Sequence, residues 1–152
     1  MPLSWKKGRG KMGFMAPALG AWRTEIPDTP MGKVICMRSY EKALGGKFIR
    51  LVADWDIGEG SKTYREEAFY GLDRDGTPSF WSFTTDGGTS QGRLADVTDL
   101  HPEAFGFEAQ MPAGLARMGF WPDVEGMMWV TQSKTKKGWN DLARHHYFPA
   151  SS

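Results

Sequence analysis

Cysteine is almost missing. Cys36 is the single one in 152 residues, which excludes an internal disulfide and any metal or iron–sulfur site built from several thiolates. It stands in an alternating run, the setting of an inert buried thiol rather than of a nucleophile. Long apolar runs are missing too, and nothing approaches the ~18–20 residues of a membrane-spanning helix. The basic start, Lys6, Lys7, Arg9 and Lys11, is interrupted by Gly8, Gly10 and Gly13 and leads to no apolar stretch of signal-peptide length. The expected location is therefore the cytoplasm. Charge of one sign is also lacking, since 19 basic side chains nearly cancel 18 acidic ones. No field of one sign is available to attract nucleic acid. Finally, no window carries a long 3.6-residue period, and only Phe14 to Leu19 invites a short helical turn.

Aromatic residues and glycine are abundant: seven Trp, nine Phe, four Tyr and 19 Gly. Both suit an all-β chain with many tight reversals. Arg38 to Ile57 sets the pattern, an alternating run, a reversal at Gly45-Gly46 and a second alternating run. An earlier strand covers 20–26 and is expected to end at Pro27 and Pro30, because proline cannot donate to a ladder. Further strands fall at 34–41 and 48–55, and the last at 139–148. Between them, reversals such as Gly58-Glu59-Gly60, Asp86-Gly87-Gly88 and Lys136-Lys137-Gly138 recur too closely for helical crossovers. The expectation is a closed, antiparallel, up-and-down barrel of about ten strands, closure being the direct way to hide both sheet edges. Residues 1–13 form a basic, Gly-rich tail and 14–152 a single barrel domain. Its interior is either packed solid or open to a ligand.

Metal-ligand spacings such as H-x-H, H-E-x-x-H or a cysteine pair do not occur, and no nucleophile elbow anchors a serine triad. In Tyr64-Arg65-Glu66-Glu67-Ala68-Phe69-Tyr70, alternation turns one glutamate inward. Glu66 shares a face with Ala68 and Tyr70. Of the adjacent His145 and His146 only one can face the interior, and the preferred phase puts Ala143, His145 and Tyr147 inside. Glu66 and His145 could then act as acid and base on a small substrate, or Glu66 could pair internally with Arg38 or Arg50. Glu66, Tyr70, Trp81, Phe83, Trp129, His145 and Tyr147 are the candidate lining of a cavity for a small hydrophobic molecule. Met127-Met128-Trp129-Val130 is apolar on both faces. Its outer face is therefore expected to be covered, by the N-terminal segment or by a partner in a homodimer.

Gly20-Ala21-Trp22 opening the first strand and Arg144 in the last resemble the calycin superfamily, the lipocalins and their relatives. Arg38-Ser39-Tyr40 through Leu44-Gly45-Gly46-Lys47-Phe48, then Phe69-Tyr70-Gly71-Leu72-Asp73 and Trp139 to Tyr147, are similar to an uncharacterised bacterial family of lipocalin-like barrels. The likeness runs in order over about residues 16–148. It implies a barrel with a cavity, and a structural contact of Trp22 with Arg144 across the closed end. It does not imply an activity. Nitrobindin-type heme barrels resemble the chain more distantly. A last-strand histidine ligates iron in those proteins, which makes heme with His145 as axial ligand the alternative expectation.

Overall fold

The structure, a computed structural model, describes residues 5–60 and 62–150. The first four residues of the N-terminal stretch, Ser61 and the last two of the barrel domain lie outside the described residues. Ten strands follow one short helix: η1 (Gly13–Ala18), β1 (Gly20–Thr29), β2 (Gly32–Ala43), β3 (Phe48–Ile57), β4 (Lys62–Leu72), β5 (Pro78–Thr84), β6 (Thr89–Ala95), β7 (Phe105–Met111), β8 (Gly114–Asp123), β9 (Gly126–Thr135) and β10 (Gly138–Pro149). Each strand pairs antiparallel with its sequence neighbours, and β10 closes on β1. This is the expected up-and-down barrel. The β2–β3 reversal relies on Gly45 and Gly46, whose φ angles of 69° and 81° are left-handed, a region other residues enter only at a cost.

The seam between β1 and β10 is short. Among the described residues, only Trp22↔Pro149 and Arg23↔Phe148 pair across it, with one further backbone bond from Ala150 to Ala21. Pro27 consequently does not end the first strand, as its chemistry suggested, but lies within β1. The ladder to β2 is irregular between Ile26 and Thr29, and β10 pairs with no residue that far along, so no ladder bond is lost there.

One end of the barrel is plugged. The helix η1 lies across it, with Met15 and Ala18 fully buried. Trp22 donates its indole N–H to the Ala18 carbonyl at 2.8 Å. Phe14 packs edge-on against Phe105 and tilts against Phe107, and Trp5 stacks on Phe105. The described part of the N-terminal stretch thus docks at this end and does not cross the outer face of β9. Tyr40, Tyr70, Phe80, Phe107, Phe120, Met127 and Tyr147 fill the adjoining half of the interior.

Outside the barrel, Val97 and Leu100 of the 96–104 loop cover β7 to β9. Two glycines make room for them. A Cβ on Gly106 would fall 2.1 Å from the Met118 carbonyl oxygen and near both Val97 methyls, and one on Gly119 would fall 2.7 Å from Leu100. The apolar outer side of β9, represented by the fully buried Val130, is therefore covered by this loop. Arg117 pins the loop from β8, donating to both Asp99 oxygens at 3.0 and 2.7 Å and to Gln132 at 2.8 Å. Its guanidinium also lies 4.3 Å over the Trp139 ring.

Candidate functional site

The half of the barrel away from η1 is open. It holds a cavity of about 860 Å³, within the size range of ligand sites for small organic molecules. The wall is mostly apolar, with Trp55, Phe80, Phe107, Met118 and Trp129 among its residues. Ala109 on β7 and Ala116 on β8 pair with one another and leave space where larger residues would fill it. The interior is thus packed near η1 and open beyond it.

Polar groups collect on the cavity floor. Arg38 of β2 is only 2% exposed and lines the cavity. Its Nε donates to the Tyr40 hydroxyl at 3.1 Å and its Nη1 to the Tyr147 hydroxyl at 3.4 Å. The guanidinium lies 4.4 Å above the Trp129 ring. Burial pushes the phenols of Tyr40 and Tyr147 upward, against the pull of Arg38, so both hydroxyls are neutral partners. The carboxylate facing the guanidinium is Glu66, whose Oε1 lies 3.7 Å from Nη2, beyond hydrogen-bond range. The other Glu66 oxygen accepts from the Ser82 hydroxyl. Beside them, the Trp129 indole N–H is buried without an acceptor among the described residues.

His145, expected to line the cavity, is not among its lining residues and borders a cleft at the seam instead. Its ring stacks on Trp129 at 6.0 Å and meets Trp55 edge-on at 5.8 Å. Burial, and then the Arg38 charge, lower its pKa, which keeps the imidazole neutral. Protonation is therefore easier in the unfolded chain. The stabilising contribution is complete above the unfolded value of about 6.5 and is lost as pH falls through the lower folded value. The urea midpoint should accordingly decline from pH 7.5 to 5.5, and His145→Gln should flatten that decline. An unchanged slope in the variant would remove His145 as its source. On the outer side of the seam, Arg23, Thr24, Ile26, Met37, His145 and His146 border a separate cleft of about 880 Å³.

The expected lining residues divide into groups. Glu66 and Trp129 line the cavity. Tyr147 is fully buried in its floor beside Arg38, while Tyr70 is buried below it with its hydroxyl 3.7 Å from the Met118 sulfur. Trp81 and Phe83 do not belong to the site. Phe80, Ser82 and Thr84 take the inward positions of β5. Trp81 packs outside against Phe48, and Phe83 is 53% exposed. Trp22 is buried at the plugged end, but Arg144 is not its partner. Alternation turns Arg144 away from His145 and Tyr147, and it pairs on the outer surface with Asp141 at 2.7 Å and lies over Trp121. Glu66 and His145 share no hydrogen bond among the described residues: the glutamate engages Ser82 and Arg38, and the histidine lies between two tryptophans. The central group of the floor, Arg38, entered the sequence reading only as a counter-ion for a glutamate. The sign of its inward position was its parity with Val34, Cys36 and Tyr40. No group of three or more His, Cys, Asp or Glu side chains among the described residues could hold a metal ion. Neither a family model nor a curated protein matches the chain.

Proposed function

We propose that the protein is a binding barrel that takes a small, predominantly apolar molecule into its open half. The observation that carries this reading is the cavity itself: a mostly apolar wall rich in aromatic rings, with Arg38 and Glu66 facing one another at its floor. Such a combination buries an apolar body while fixing its orientation. The closed ten-strand meander, plugged by a short helix that Trp22 holds, supports kinship with the calycin barrels that the sequence resembles. Among the described residues, Glu66 and His145 share no hydrogen bond, which favours binding over an acid–base reaction at that pair.

Native mass spectrometry of gently purified protein, beside the denatured protein, tests the reading. A mass excess that disappears on denaturation is expected. Absorbance of the same sample near the Soret region, lost in His145→Ala, would instead assign the cavity to heme. A bare mass, followed by failure to take up any member of a panel of apolar small molecules, would overturn the proposal.

A further inference from the structure

The plugged end of the barrel carries positive charge that its own residues leave unanswered. Each strand arginine faces a carboxylate: Arg23 meets Glu25, Arg38 meets Glu66, Arg50 and Arg65 meet Glu67, Arg93 meets Asp75, Arg117 meets Asp99 and Arg144 meets Asp141. Arg9, Lys42 and Lys47 have no such partner among the described residues, and all three are exposed. They border one pocket of about 170 Å³ between the N-terminal stretch and the β2–β3 hairpin, and among the described residues no carboxylate borders it.

Both sides of this pocket are fixed. Trp5 stacks on Phe105 and donates its indole N–H to the Glu103 carbonyl at 3.2 Å. The Gly8 N–H donates to the Gly13 carbonyl at 2.8 Å, and a Cβ on Gly13 would collide with the Gly8 carbonyl oxygen. Lys11 reaches across to the Gly76 carbonyl. On the hairpin, Lys42 pairs with Ile49 and shares the inward phase of Tyr40, which turns it over the plugged rim. Glu41 has the opposite phase and pairs with Arg50. Leu44, in the same hairpin, is 67% exposed at a φ of 52°. Such a turn position favours glycine or asparagine, so an exposed leucine there serves neither the turn nor the core.

We propose that this pocket binds a phosphate group of about two negative charges, borne by a lipid headgroup, with Leu44 entering the apolar layer beside it. Cations around one concave spot repel one another until an anion enters. A phosphate monoester supplies the charge and several acceptor oxygens. Cations beside an exposed apolar tip suit a surface that rests on an anionic bilayer. The site lies at the end opposite the open cavity and does not depend on what that cavity holds.

Two probes separate the phosphate from its bearer. In titration calorimetry with the full chain, inorganic pyrophosphate should bind with a Kd on the order of 1 mM or tighter, as a few exposed charge pairs imply. Vesicles of phosphatidylcholine doped with phosphatidic acid, a phosphate monoester, should sediment the protein, and pure phosphatidylcholine should not. Lys42→Gln and Lys47→Gln should each weaken both interactions by about fivefold at an unchanged urea midpoint. Lys136→Gln, at the open end, should alter neither. Leu44→Ser should weaken the vesicle interaction alone. Pyrophosphate binding without sedimentation would overturn the lipid bearer and make the ligand a soluble phosphate. Equal sedimentation by vesicles doped with phosphatidylglycerol, a monoanionic diester, would reduce the effect to surface potential and overturn the pocket. Binding that survives Arg9→Gln, Lys42→Gln and Lys47→Gln together, or binding of neither probe, would overturn it as well.

Discussion

Phe107→Ala is expected to destabilise the protein by about 3–5 kcal/mol, the usual cost of deleting a large aromatic side chain from a core. Phe107 is 0% exposed. Its ring lies 5.2 Å from Tyr70, 5.6 Å from Phe80 and 5.9 Å from Phe14. It therefore connects three strands of the wall to the helix that plugs the barrel. The wall cannot shrink around the missing ring, because β4, β5 and β7 are each held by hydrogen bonds on both sides, so little of the loss is recovered by collapse. The urea midpoint should fall with little change in the slope of the transition. Phe83→Ala is the control. An aromatic side chain is deleted there too, but from the outer face, and the change should stay within about 0.5 kcal/mol. Comparable losses for the two variants would contradict the assignment of which face of each strand points inward.

The barrel was legible because two local signals agreed throughout. Reversals rich in glycine and aspartate recur at short intervals, and the runs between them alternate. Neither leaves room for helices, and a meander of this many strands has few ways to hide its edges. The boundary misplaced at Pro27 came from treating each strand as paired on both sides. Where β10 stops short of β1, proline loses nothing, and that gap is a property of the closed sheet rather than of the local sequence.

The site was less legible, and the reason is strand phase. In Ser79-Phe80-Trp81-Ser82-Phe83-Thr84 both faces carry aromatic residues, so alternation cannot say which is inside. The answer comes from the neighbouring strand, where Phe80 pairs with Tyr70 and Phe83 with Glu67. Glu67 is in turn held outside by Arg50 and Arg65. Tyr147 and His145 were placed inward because small and amphipathic groups share their phase, and the ladder keeps that phase despite an irregularity between Asp141 and Ala143. The same phase excludes Arg144 from the interior. Arg38 was the harder case. A charged residue in a strand is ordinarily read as facing water, whereas here its parity with Cys36 and Tyr40 outweighs that habit. Its burial is tolerated because phenols and an indole face surround it.

Ala116→Trp should abolish uptake of an apolar ligand while leaving the fold intact. Ala116 lines the cavity and shares the inward phase of β8 with Phe120, a ring fully buried against Tyr40 and Phe105. Its ladder partners are Ala109 on one side and Ser133 on the other. A large side chain at this position therefore enters open space between small neighbours, without the strain that overpacking brings to a filled core. The indole would occupy the volume that a ligand's body needs, with Arg38 and the packed half of the barrel untouched. Binding of the apolar species identified by mass, or of a chosen amphiphile, should weaken by about a hundredfold or more, a loss of at least about 2.7 kcal/mol. The midpoint of urea unfolding should hold or rise, because new apolar contact is made inside the barrel. Lost binding with an unchanged or higher midpoint would locate the ligand in the open half. Full affinity in a well-folded variant would instead move the site to the cleft along the β1–β10 seam, where a residue on β8 has no reach.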